Sequence, residues 1–158
     1  MILEKTLEEQ IVEKLKQKNW KITTAESCTG GLIAGTLVNV AGVSDVFKEG
    51  YITYADEAKQ KLLGVEKEAL ERFGAVSPQV AEQMAKGAAK AALAEVAIAV
   101  TGVAGPDGGT PLKPVGLVYI GCVIPGRVIV TENHFKGTRR EIREMTVETA
   151  FRQLLEAL

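Results

Sequence analysis

The run Val96 to Val100, "VAIAV", limits the possible folds more than any other stretch of the chain. It is too short for a helix and carries no polar residue to turn toward water, so it reads as a strand buried on both faces. Such a strand needs helices above and below it. The segments around it supply them.

Leu3, Leu7, Ile11 and Leu15, with Val12 beside them, mark an amphipathic helix over about residues 2 to 18. A strand is predicted from Trp20 to Ala25, a helix from Thr29 to Asn39, and a strand from Val46 to Tyr54 with Gly50 as a weak point. Asp56 is the predicted N-cap of a short helix that Gly64 stops, and a second short helix covers Glu66 to Phe73. Ser77-Pro78 opens an Ala-rich helix to about Ala94, in which Ala85, Gly87, Ala88, Ala89 and Ala92 imply close packing on a neighbour. Strands at Val115 to Val123 and Val128 to Phe135 flank Pro125-Gly126 as an antiparallel hairpin, and a last helix runs from Thr138 to the C-terminus. Helices between most strands, plus one hairpin, give an α/β fold: a three-layer α/β/α sandwich on a mixed sheet of about five strands.

The chain is read as a single domain over residues 1–158. A domain of this length buries roughly 70% of the surface of its unfolded chain, so it needs no disulfide or metal to hold it. Cys28 and Cys122 follow no metal spacing and are read as free thiols in a reducing compartment. "MILEKTLEEQ" lacks the basic start and apolar core of an export signal, and no apolar run reaches the ~18 residues of a membrane span. The expectation is a cytoplasmic protein with no membrane contact. A net charge of −1 and 5% aromatic residues offer no basic stripe with stacking groups, so nucleic acid is not an expected partner. The Ala-rich helix and the hairpin suggest a homo-oligomer, a dimer, as the assembly.

Chemistry concentrates in two glycine-rich stretches that follow strands, Ser27 to Gly31 and Thr101 to Gly109. Ligands in open α/β sheets gather at such strand ends, and main-chain N–H groups at the start of the helix after Gly30 are placed to face an anion. The alternative is that Gly30 and Gly31 simply pack a helix on the sheet. Gly102, Gly105 and Gly108 do not form a dinucleotide fingerprint, no P-loop occurs, and Ala25 and Thr29 stand where a nucleophile elbow needs glycine. His134 is the only histidine, which leaves a Ser-His-Asp arrangement one possible base and makes a zinc site unusual; no metal or cofactor is expected.

A serine nucleophile without histidine needs a lysine of lowered pKa. Lys59 in "YADEAK" is the candidate, against the plain alternative of a solvated helix lysine beside Gln60 and Lys61. Cys28 is a rival nucleophile or a buried filler. Arg139 and Arg143 share a helix face with Arg140 between them, and basic residues at a helix start oppose its dipole unless an anion offsets them. They hold a phosphate or carboxylate, or pair with Glu141 and Glu144.

The blocks "TTAESCTGG", "GYITYADEAK" with "LLGV", "GAVSPQVAEQMA", "TGVAGPDGG" and "KPVGLVYI" occur in this order from Thr23 onward. Together they resemble the CinA C-terminal domain family, whose stand-alone members are nicotinamide mononucleotide (NMN) amidohydrolases of the PncC type. The resemblance implies a metal-independent Ser/Lys amidohydrolase that converts NMN to nicotinate mononucleotide and ammonia in pyridine nucleotide recycling. Ser27 would be the nucleophile and Lys59 its base, with Tyr54 a further catalytic candidate. Thr29, Gly30, Gly31, Thr101, Gly102, Gly105, Arg139 and Arg143 are the substrate-binding candidates. Many members carry this module behind a larger N-terminal domain; this chain starts a short helix before its first strand and is expected to stand alone. The other expectation is a non-catalytic interaction module in a competence or DNA-damage pathway.

Overall fold

The computed structural model describes residues 3–158. Its sheet has five strands in the order β2-β1-β3-β4-β5, with β1 at Ile22–Glu26, β2 at Tyr51–Ile52, β3 at Val96–Gly102, β4 at Leu117–Ile124 and β5 at Arg127–His134. β1 runs parallel to β2 and β3, whereas β4 is antiparallel to both β3 and β5. The mixed α/β sheet is as the sequence predicts. Because β5 reverses β4, it runs the same way as β1, β2 and β3, and all four end at one edge of the sheet.

Helices cover both faces. α1 (Leu7–Lys18), α2 (Leu32–Leu37) and α6 (Arg139–Ala157) pack on one side, against Ile22, Val96, Ile98, Val100, Val118 and Ile120. α3 (Asp56–Leu63), α4 (Lys67–Phe73) and α5 (Pro78–Ala92) pack on the other, against Ala25, Ala97 and Ala99. The alternation along "VAIAV" thus puts large side chains on one face and methyl groups on the other. That second face is shaped for α5: a Cβ at Gly121 would lie 2.9 Å from the Ala81 carbonyl oxygen, and one at Gly87 would overlap the Leu63 carbonyl oxygen of α3. The predicted close packing of the Ala-rich helix is explained by these two glycines.

Several boundaries move, each for a local reason. α1 begins at Leu7 because Thr6 and Glu9 form a capping box, which leaves Leu3 exposed and outside the stripe; residue 2 of the predicted helix lies outside the described residues. β1 starts at Ile22, not Trp20. α2 starts at Leu32 and not at Thr29, because Gly30 (φ 58°) and Gly31 (φ 106°) are left-handed and end any helix there. The predicted strand from Val46 to Tyr54 contracts to Tyr51–Ile52 plus one bridge from Phe47 to Ile22. Between them the Glu49 carbonyl accepts from the Thr23 hydroxyl at 2.8 Å, and Gly50 lies so near Thr24 that its Cβ would meet Oγ1 at 2.5 Å. Asp56 is the first helical residue and Ala55 occupies the cap without a side-chain bond.

Later elements keep closer to their predicted extents. Ser77 caps α5 by accepting from Val80 N, and Thr138 with Glu141 boxes the start of α6. β3 runs on through Thr101 and Gly102, beyond the Val100 at which the sequence predicts its end. Ile142, Ala150 and Leu154 of α6 are fully buried, as their spacing implies. Among the described residues no helix is long and apolar enough to cross a membrane.

Candidate active site

Ser27 follows β1 directly and is held at the strand end by its own N–H, which donates to the Val100 carbonyl of β3 at 3.1 Å. Beside it, the chain leaving β2 is tied back by Thr53 N donating to the Glu26 carbonyl at 2.9 Å. α3 then rises from this corner with Lys59 and Leu63, four residues apart, on its inward side. The lysine stem therefore enters the layer between helix and sheet. Only 1% of Lys59 is exposed.

Its ammonium end meets three oxygens: Ser27 Oγ at 3.1 Å, the Thr53 carbonyl at 2.7 Å and the Tyr54 carbonyl at 3.2 Å. Burial lowers the Lys59 pKa from its ordinary 10.5, against the opposing pull of the Asp56 carboxylate. The arrangement has a chemical consequence. Once neutral, the amine has two N–H groups and one lone pair; with two carbonyls taking the N–H groups, the lone pair is left for the serine hydroxyl. That is the geometry of a base poised on a nucleophile.

Cys28 is next in sequence but not in chemistry. Its thiol is buried, and loss of solvent pushes its pKa up to about 11, opposite to what a thiolate nucleophile needs. His134 is exposed and pairs with Glu132 at 3.0 Å on β5.

The turn from Ser27 to Gly31 is held from two sides. Glu26, fully buried, accepts from Thr29 Oγ1 at 2.6 Å, from Ile33 N at 2.8 Å and from Ala34 N at 3.1 Å. The first free amides of α2 thus already face a carboxyl group of the chain itself, which corrects the expectation that they await an anion. From the other side Arg143 of α6 donates to the carbonyls of Cys28 and Thr29 at 3.0 and 2.8 Å. Glu26 was missed in the sequence, where the only sign of it was an acidic residue closing a run of strand residues.

The remaining candidates divide. Arg139 donates to the Gly105 carbonyl at 2.8 Å and to the Tyr54 hydroxyl at 3.1 Å, which joins the second glycine-rich loop to the segment before α3. Tyr54 thus contributes its carbonyl to Lys59, while its phenol, on a residue 61% exposed, stands against Arg139. Thr101 does not turn its hydroxyl to Ser27; it donates to the Ala75 carbonyl at 2.9 Å. Gly102 is required by packing, since a Cβ there would lie 2.6 Å from Val118 and 2.7 Å from the Leu117 carbonyl. The Gly30 N–H is occupied by the Ser27 carbonyl at 3.1 Å.

A family described as CinA C-terminal domain matches residues 4–158. A putative competence-damage inducible protein of Clostridium novyi (strain NT) is 52% identical over 155 residues, which is 98% of this chain and 37% of that protein. A CinA-like protein of Kosmotoga olearia is 54% identical over 140 residues, 89% of this chain and 34% of that one. The chain therefore spans little more than a third of the length of these curated relatives. Among solved structures, the competence/damage inducible protein CihA from Agrobacterium tumefaciens superposes with a TM-score of 0.91 at 45% identity, covering 99% of this chain and 98% of its own. A competence-damaged protein (CinA) superfamily protein from Escherichia coli gives a TM-score of 0.93 at 36% identity, covering 100% of this chain and 96% of its own.

Proposed function

The chain belongs to the CinA C-terminal domain family, and on that premise we propose that it hydrolyses the amide of NMN to nicotinate mononucleotide and ammonia. The observation that supports amide hydrolysis is the buried contact of Lys59 Nζ with Ser27 Oγ at 3.1 Å. The choice of NMN follows the family resemblance of the sequence blocks around these two residues.

In the proposed reaction Lys59 Nζ takes the Ser27 hydroxyl proton while Oγ bonds to the amide carbon. Oxygen gathers negative charge in the tetrahedral intermediate, and main-chain N–H groups of the Cys28 to Gly31 turn stabilise it; those of Ser27 and Gly30 already have partners. Lys59 then returns its proton to the amide nitrogen, ammonia departs, and an acyl-serine remains. Water attacks that ester, Lys59 takes the water proton, and the proton returns to Ser27 Oγ as the acid leaves. Of the two arginines, the exposed Arg139 is the one proposed for the 5′-phosphate; it stands beside the Tyr54 hydroxyl and the Gly105 loop.

The test is ammonia release from NMN, nicotinamide riboside and free nicotinamide, with EDTA present, by the wild type and by Ser27→Ala and Lys59→Ala. Turnover of NMN by the wild type and loss in both variants supports the reading. If no amide is hydrolysed, or if Ser27→Ala keeps full activity, the enzyme reading falls. The non-catalytic interaction module, the other expectation from the sequence, then takes its place.

A further inference from the structure

We propose that Arg143 is a positioning residue which aims the oxyanion-binding turn after Ser27, and is not a ligand of the substrate phosphate; this rests on the amide hydrolysis proposed above. Its Nε and Nη2 form one edge of the guanidinium, and that edge is filled by the Cys28 and Thr29 carbonyls. A phosphate taken in two-pronged fashion would have to displace these carbonyls or turn to the opposite Nη1–Nη2 edge. The guanidinium lies close over the turn, with Nη2 only 3.5 Å from where a Cβ on Gly30 would sit.

Fixing a carbonyl fixes the N–H across its peptide bond, because the unit is planar and trans. Arg143 holds the Cys28 carbonyl, so the Thr29 N–H is turned the opposite way. Glu26 fixes the same residue through the Thr29 hydroxyl. Thr29 is therefore anchored at its side chain and on the carbonyls of both flanking peptide units. An oxyanion donor works only if it is aimed before charge develops, and the turn is short and rich in glycine, so it has little stiffness of its own.

The experiment measures kcat and KM for NMN in wild type, Arg143→Met, Arg143→Lys and Arg143→Ala, together with amide hydrogen exchange of residues 27–31. Positioning lowers kcat by about 10²–10³ in Arg143→Met, the loss typical of a misplaced oxyanion donor, with KM moved by less than about threefold. Lysine does not restore kcat, since an ammonium on a flexible stem lacks the rigid planar fork that holds two carbonyls in one fixed geometry. Added guanidinium ion restores part of kcat in Arg143→Ala. Exchange in the turn accelerates in every variant. A rise in KM with kcat unchanged makes Arg143 a phosphate ligand and overturns the proposal, as does unchanged exchange of the turn. If the wild type hydrolyses no amide, the enzyme reading fails by itself, and the exchange data alone decide whether Arg143 holds the turn.

Discussion

Lys59 Nζ lies 3.1 Å from Ser27 Oγ although 32 residues separate the two in the chain. The contact exists because β1 and β2 end at the same edge of the sheet and α3 turns its inward stripe back across that edge. Nucleophile and base of this kind act as one unit. Ser27→Ala and Lys59→Met should each lower kcat/KM for NMN by on the order of 10⁴ or more, and the double variant should be little worse than either alone. Steady-state ammonia release measures all three. Additive losses in the double variant would mean that the two side chains work separately.

The lowered pKa of Lys59 makes both activity and stability depend on pH. As the base must be neutral, kcat/KM should rise with pH through a value below the ordinary 10.5 and then level off. Asp56→Asn removes the carboxylate that pulls Lys59 up, so the rising limb should move to lower pH. Stability follows the same group with a definite sign. Between the lowered folded value and the ordinary 10.5, the unfolded chain binds more protons than the folded one, so stability rises with pH across that window. Below the window the charged lysine is buried at full cost. Urea midpoints of wild type against Lys59→Met should converge or cross in favour of wild type as pH rises, and a constant difference would show that Lys59 does not titrate there.

Cys28 should be inert in the folded protein. With its pKa pushed up to about 11 by burial, only about one thiol in a thousand is ionised at pH 8, and access is poor besides. Iodoacetamide should label it slowly in native conditions and rapidly in urea, and Cys28→Ala should retain turnover of wild-type order. Fast native labelling accompanied by loss of activity would return Cys28 to the list of nucleophiles.

Much of this was legible in the sequence, and what was not has physical causes. Ser77-Pro78, Gly64 and the short unbroken apolar run "VAIAV" are local signals, and the elements they mark stand where they were expected. The strand after Val46 is shorter than predicted because the Glu49 carbonyl is diverted to the Thr23 hydroxyl, a partner on another strand that no local pattern reveals. Lys59 looked solvated because a lysine on a short charged helix ordinarily is; its burial depends on a parallel pairing of only Ala25 with Tyr51 and Glu26 with Ile52. The common face of Arg139 and Arg143 could be read from spacing. Their partners could not, being main-chain carbonyls of distant loops.

Glu26 is a buried side chain whose removal should destabilise the fold. Glu26→Ala leaves a buried hydroxyl and two helix amides without an acceptor, with a loss on the order of 3 kcal/mol. At the ~2–4 °C per kcal/mol typical of a chain this long, Tm should fall by roughly 6–12 °C. Glu26→Gln separates packing from bonding. Thr29 Oγ1 and Ile33 N both donate to Oε1, so one amide oxygen still serves them, whereas Ala34 N, which donates to Oε2, would then face an NH₂ group. Glutamine should therefore recover about half of the lost stability, with hydrogen exchange accelerated at Ala34 more than at Ile33. Thermal melts and exchange on the two variants read this directly. If Glu26→Ala melts with the wild type, the carboxyl group does not hold α2, and the turn carrying Ser27 must be fixed from the Arg143 side alone.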